Sequence, residues 1–245
     1  MTVFFDLETT GSVFATDKII EISCIKVDDD RNIIDKYHTL FNNEGVAINP
    51  AAFEVHGISE EDLVGEPLFK DKANEIVEFF EGCSIGGYNI RVFDIPFLYT
   101  KLLELGIKWD IRDREIIDVF SLYKKYNGAS LGEVYSRYVG KKLDNAHSAE
   151  ADTLATIELY NAQIARDEVF ETQEEVYVYK EMLDIGGNLV LKEDIDGVKR
   201  IFFTFGKHKG ERLDRVDRRY LEWICKNDFP IDLKIIIRKY LEKTS

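Results

Sequence analysis

Positive charge is what this 245-residue sequence is short of: 32 Lys and Arg stand against 46 Asp and Glu, a net charge of −14 with His neutral. That balance argues against a chain that coats nucleic acid or an anionic membrane. Cysteine is scarce too. Cys24, Cys83 and Cys225 are odd in number and widely spaced, which fits neither a disulfide framework nor a thiolate zinc site and points to a reducing compartment. No apolar run reaches about 18 residues, and Met1-Thr2-Val3-Phe4-Phe5-Asp6 shows no basic segment followed by a cleavage site. No membrane partner is expected, and the cytoplasm is the expected location. Internal repeats and low-complexity tracts are lacking as well. What is there is core-forming material: 45% hydrophobic and 12% aromatic residues, with 16 Phe and 12 Tyr, enough apolar surface to offset the entropy of folding. The length allows one large domain, or a medium domain with a small one.

Strand-like stretches come first, at residues 3–7, 19–27 and 33–41, the last two joined by Asp28-Asp29-Asp30-Arg31-Asn32 as a hairpin turn. The triple aspartate lacks the glycine and terminal glutamate of a calcium loop. Apolar spacing then turns helical from Leu68 to Phe80, and 84–88 is short enough for a buried strand. Helices are predicted at about 95–105, 119–126, 131–138 and 149–165. Strands first with helices interleaved later predict an α/β layer structure on a mixed sheet. Between Asp167 and Asp196 ten acidic residues face two lysines, which predicts an acidic linker over 168–195 with one short helix near 173–183. Beyond it, 201–205 reads as a strand and 219–226 and 233–242 as helices, a small α+β C-terminal domain over 196–245.

Three segments carry candidate chemistry. In Phe5-Asp6-Leu7-Glu8-Thr9-Thr10-Gly11, Asp6 and Glu8 are i and i+2 on a strand and so point the same way from its end. Two adjacent carboxylates repel unless one is protonated, both face water, or a cation sits between them. In Asn89-Ile90-Arg91-Val92-Phe93-Asp94-Ile95-Pro96, Asp94 falls at the start of a helix marked by proline, where it could equally serve as a cap. In His147-Ser148-Ala149-Glu150-Ala151-Asp152, the imidazole lies at a helix entry and Asp152 within the first turns, among small residues that allow close approach. Each segment alone has a plain structural reading; together they place four acids and one base at element ends. Hard divalent cations take oxygen ligands, and two of them about 3.5–4 Å apart clamp the attacking and leaving oxygens of a phosphodiester.

The ordered set Asp6-x-Glu8, Asp94 after Phe93, and His147-x-x-x-x-Asp152 resembles the DEDDh 3′-5′ exonucleases of the DnaQ-like family, over roughly residues 2–165. Val55-His56-Gly57-Ile58 is similar to that family's His-Gly-Ile loop. The resemblance implies a ribonuclease H-like mixed sheet flanked by helices in a catalytic domain over 1–167. It implies catalysis by Asp6, Glu8, Asp94, His147 and Asp152, with the four acids holding two Mg²⁺ ions that Mn²⁺ can replace. His147 would deprotonate the attacking water, a task suited to a group that titrates near neutrality. Thr9, Thr10, His56 and Asn89 would contact or support the terminal nucleotide. The implied activity is hydrolysis at DNA 3′ ends to nucleoside 5′-monophosphates, in repair or proofreading. Trimming of RNA, a subunit recruiting a polymerase or repair partner through its tail, and a metal-binding scaffold without turnover are the alternatives.

The tail is similar to the C-terminal domain of exodeoxyribonuclease X-like proteins through Phe205-Gly206-Lys207-His208-Lys209-Gly210 and Tyr220-Leu221-Glu222-Trp223-Ile224. It holds 13 Lys and Arg against 8 Asp and Glu, net +5, leaving −19 for residues 1–195. Its lysines suit phosphate contact, and Tyr220 and Trp223 suit either base stacking or a small domain's core. Nothing in the sequence reads a 2′-hydroxyl, and DNA is expected as a partner ahead of RNA.

Overall fold

A computed structural model of the chain describes residues 1–112, 114–120, 130–143, 147–165, 177–178 and 182–244. It divides into two units, the first Met1–Ser12, Asp17–Asp94 and Arg114–Tyr177, the second Val13–Thr16, Ile95–Asp113 and Val178–Ser245. Strands β1 (Thr2–Thr9), β2 (Ile19–Val27), β3 (Ile33–Leu40), β4 (Ser84–Gly87) and β5 (Glu115–Asp118) form a sheet of order β3-β2-β1-β4-β5, with the two-residue β6 (Tyr177–Val178) beyond β5. β1 pairs antiparallel to β2 and parallel to β4, so the sheet is mixed, as expected.

β2 is buried along almost its whole length, and in β1 Val3, Phe4, Phe5 and Leu7 are buried. Such strands lose the in-and-out alternation because both faces are covered. Of the helices, α1 (Pro50–His56), α2 (Phe69–Phe79), α4 (Leu131–Val139) and α5 (Ala149–Ala165) belong to the first unit, and α3 (Asp94–Glu104) starts there with Asp94. Phe4, Ile25, Val27, Val134, Tyr138 and Leu159 share one apolar cluster, joining β1 and β2 to α4 and α5. Burying each such side chain contributes about 1.5–3 kcal/mol. Ser130 caps α4 in a reciprocal box with Glu133. Ala149, Thr153 and Thr156 are buried on α5, whose small side chains permit close packing.

The end of β1 is freed by a mismatch in strand length. β4 pairs only with Thr2, Val3 and Phe4, then turns away at Gly87. A Cβ on Gly87 would lie 2.1 Å from Ile90 Cγ2 and 2.8 Å from the Phe5 carbonyl oxygen, so only glycine permits this close turn. Beyond the reach of β4, Leu7 gives its N–H to the Asp94 carboxylate at 3.2 Å.

In the second unit β7 (Leu189–Glu193) and β8 (Lys199–Phe203) form an antiparallel hairpin beside α6 (Arg218–Lys226) and α7 (Ile231–Lys243). Leu189, Phe203, Leu213, Leu221, Ile224 and Leu233 make its core. Asp184 accepts the N–H groups of Asn188 and Leu189, and Asp232 accepts that of Ile185 at 2.6 Å.

The expected linker is corrected in part. Of the helix expected near 173–183, Tyr177 and Val178 are strand and Met182 bridges to Val190, while residues 173–176 and 179–181 lie outside the described residues. The expected linker also contains β7, whose Leu189 and Val190 are buried. The helix expected at 119–126 begins at Val119 and Phe120; its remainder lies outside the described residues. No helix among the described residues is long and apolar enough to cross a membrane.

Candidate active site

The pleat of β1 places Asp6 and Glu8 on one side of its free end, and α5 brings Asp152 to them. One carboxylate oxygen from each lies within 4.8 Å of the others. Asp94 stands outside that group of three. It is 5% exposed at the first position of α3, with Oδ1 held by Leu7 N–H. His147 has a left-handed backbone, φ 72°, and its N–H donates to Asp152 Oδ2 at 3.1 Å. The backbone of this exposed histidine is thereby tethered next to Asp152. Asn145 and Ala146 of the same motif lie outside the described residues.

The electrostatics of this cluster are those of carboxylates crowded without a cation. Burial, and then the charges of Asp94, Glu8, Asp152 and Glu21, hold Asp6 well above the usual carboxylate range. Burial, followed by Glu21, Asp152 and Asp94, pushes Glu8 up to about 8. Asp94 is pushed up to about 7 by burial, against the opposing N–H groups of its own backbone and of Leu7. Burial also raises Asp152, opposed by the His147 N–H and side chain. Asp152 Oδ1 is buried and has no hydrogen-bond partner among the described residues. An all-oxygen donor set, mutual repulsion and an orphaned carboxylate oxygen fit a hard divalent cation. Asp6, Glu8 and Asp152 are the residues placed to hold one.

Of the expected substrate contacts, His56 ends α1 and half-buries its ring. Nδ1 accepts the Ile58 N–H at 3.0 Å, so the neutral ring carries its proton on the buried Nε2, on the side of Thr9. Burial lowers the pKa of this histidine. The threonine hydroxyls turn inward: Thr9 donates to the Gly11 carbonyl at 2.7 Å, and fully buried Thr10 donates to Asp17 and accepts from Lys18 N–H. Asn89, with φ 57°, gives its N–H to Asp118 at 2.9 Å.

Sequence reasoning missed two acids. Asp118 ends β5, is buried, and accepts from Asn89, Arg91 and Phe120, fixing the turn that leads to Asp94. Glu21 lies directly across the β1–β2 ladder from Glu8 and is 5% exposed. Its Oε1 meets His38 Nε2 at 2.7 Å, and its Oε2 accepts Ala149 N–H at 3.1 Å. Glu21 thus ties β2 to the first turn of the helix that carries Asp152. Its signal was an acid inside the otherwise apolar Ile19-Ile20-Glu21-Ile22 run.

The architecture is that of the ribonuclease H-like α/β folds. A structure of E. coli exonuclease I in complex with a dA16 oligonucleotide superposes with a TM-score of 0.61 at 20% identity, over 69% of this chain and 42% of that one. The chain belongs to the exonuclease family: the family described as Exonuclease matches residues 3–160. DNA polymerase III subunit epsilon of Salmonella typhimurium is 30% identical over 174 residues, covering 65% of this chain and 70% of that protein. The 3′-5′ exonuclease DinG of Staphylococcus epidermidis is 29% identical over 181 residues, or 70% of this chain, which spans 19% of that relative's length.

Proposed function

We propose that the chain is a metal-dependent 3′-5′ exonuclease that removes nucleotides from DNA ends, in repair or proofreading. The observation carrying this reading is the convergence of Asp6, Glu8 and Asp152 oxygens within 4.8 Å, with His147 tethered to Asp152. Asp6, Glu8 and Asp152 would hold one Mg²⁺ and Asp94, with Asp6, a second; bound there, such ions neutralise charge on the phosphate and on the departing oxygen. His147 takes the proton of the attacking water on its imidazole. The water oxygen bonds to phosphorus, the P–O3′ bond breaks, and the departing 3′-oxygen takes a proton from solvent, giving a nucleoside 5′-monophosphate. His56, half-buried beside Thr9, would contact the terminal nucleotide. Relatives named as an exonuclease and as a polymerase subunit support this reading, and support DNA over RNA.

Digestion of 3′- and 5′-labelled DNA and matched RNA, with Mg²⁺ and with EDTA, tests it. Release of mononucleotides from the 3′ end of DNA, abolished by EDTA and by Asp6→Ala, is expected; full activity of Asp6→Ala overturns it. His147→Ala should lower kcat far more than Mn²⁺ affinity, and equal losses would make His147 a ligand rather than a base.

A further inference from the structure

The C-terminal module carries an aromatic and basic surface that the active site does not use. Tyr220 and Trp223 sit one helical turn apart on α6, their rings stacked at 5.6 Å and 22°. They divide the two roles open to them: Tyr220 packs against the module core, whereas Trp223 remains 49% exposed. A Cβ on the left-handed Gly206, φ 61°, would lie 3.3 Å from the Tyr220 hydroxyl, closer than ordinary contact. The His208 ring lies 4.4 Å from that of Tyr220, and the Lys207 ammonium 4.9 Å from the Tyr220 centroid. Lys207, Lys209, Arg219 and Lys226 are exposed, and Arg219, Trp223 and Lys226 follow i, i+4, i+7 spacing along one helix face. Cations beside an exposed indole that is backed by a second ring are the elements of a stacking platform for unpaired bases, where charge follows the phosphates and the rings take the bases.

We infer that the Trp223–Tyr220 platform, flanked by Lys207, Lys209, Arg219 and Lys226, is a binding site for single-stranded nucleic acid, separate from the carboxylate cluster. The inference rests on the nuclease reading for its choice of ligand. Charge supports the same occupant: residues 182–245, which hold the hairpin and both helices, are net +3 while residues 1–181 are net −17.

The chain has two tryptophans, and the other, Trp109, is 2% exposed, so Trp223 is its own reporter. The 245-residue chain in EDTA is titrated with oligothymidylate and oligouridylate of about ten nucleotides, and with a duplex, following tryptophan emission and the anisotropy of a labelled strand. Both single strands should quench emission, with the duplex bound more weakly. Trp223→Ala should weaken binding about tenfold, and Trp223→Phe should keep most of the affinity while losing the quench. Lys207→Glu with Lys209→Glu should flatten the salt dependence of log K by about 1.4. Far-UV circular dichroism verifies that each variant is folded, and the lysine pair tests the site even if Trp223→Ala does not fold. Emission unmoved by either strand, or affinity unchanged in folded Trp223→Ala and in the lysine pair, overturns the inference and leaves the patch to a protein partner. Because EDTA removes hydrolysis from this assay, failure of the nuclease reading shows separately as no cleavage in Mg²⁺.

Discussion

Glu8→Gln should stabilise the metal-free protein and destabilise it relative to wild type once metal is added. In the fold Glu8 titrates at about 8 rather than at its ordinary 4.5, chiefly through burial and then through Glu21, Asp152 and Asp94. At pH 7 the folded carboxyl is mostly protonated while the unfolded one is ionised, and each unit of that difference is worth about 1.4 kcal/mol. The full penalty at pH 7 is about 3 kcal/mol. Glu8 is half-buried, and its neighbours share the repulsion, so about 1.5 kcal/mol is the working figure. For a chain of this size that is about 3–6 °C in Tm. The sign follows from proton counting: the folded state holds a proton the unfolded state has released, so metal-free stability falls as pH rises from about 4.5 to 8. The gap between wild type and Glu8→Gln should therefore close below pH 4.5. Thermal unfolding in EDTA across this range, repeated with Mg²⁺, makes the measurement. Added metal should raise wild type well above the variant, because binding to the folded state alone stabilises it. A Glu8→Gln protein less stable than wild type in EDTA at pH 7, or equally stabilised by Mg²⁺, would refute the crowding argument.

Glu21→Ala leaves the Ala149 N–H without an acceptor and should cost about 1–3 kcal/mol, with a lower kcat because Asp152 loses its anchor; Glu21→Gln, which can still accept that bond, should restore much of both, as read by denaturant unfolding and steady-state rates. Burial holds Asp232 at about 6, so the second unit should lose about 3 kcal/mol as pH rises from about 4 to 6, and an Asp232→Asn variant should flatten that pH profile in urea titrations. Gly87→Ala forces a methyl to within 2.1 Å of Ile90 Cγ2, and should cost about 1–3 kcal/mol with a drop in activity, since the turn it distorts leads to Asp94. An unchanged Tm in that variant would show that the turn can move freely.

The parts of the fold that were legible in sequence are those whose pattern is long and whose ends are marked. β2 and α5 fall on the expected 19–27 and 149–165, since one is a long β-branched run and the other is bounded by small residues and a charge shift. α1 was missed although Asn49 caps it and Pro50 opens it; no α1 residue is buried, so no apolar period announced it. β5 is four residues long and β7 five, too short for a period to emerge. Asp6, Glu8 and Asp152 could be singled out because acids at element ends have few structural duties. Glu21 could not be linked to Glu8, because their pairing depends on a register that passes through a bulge at Glu8 and Thr9 and an irregular loop. The expected contact of Thr9 and Thr10 with the terminal nucleotide says nothing of the turn that bonds their hydroxyls to the Gly11 carbonyl and to Asp17, since that turn has no sequence period.

The backbone of His147 bears on how this residue came to be chosen. At φ 72°, an L-side chain costs about 1–2 kcal/mol that glycine would not incur. Selection for folding alone would drift toward glycine or asparagine here. A library screened for thermal tolerance should enrich His147→Gly, and one screened for turnover should retain the imidazole, so the two selections pull apart at a single codon.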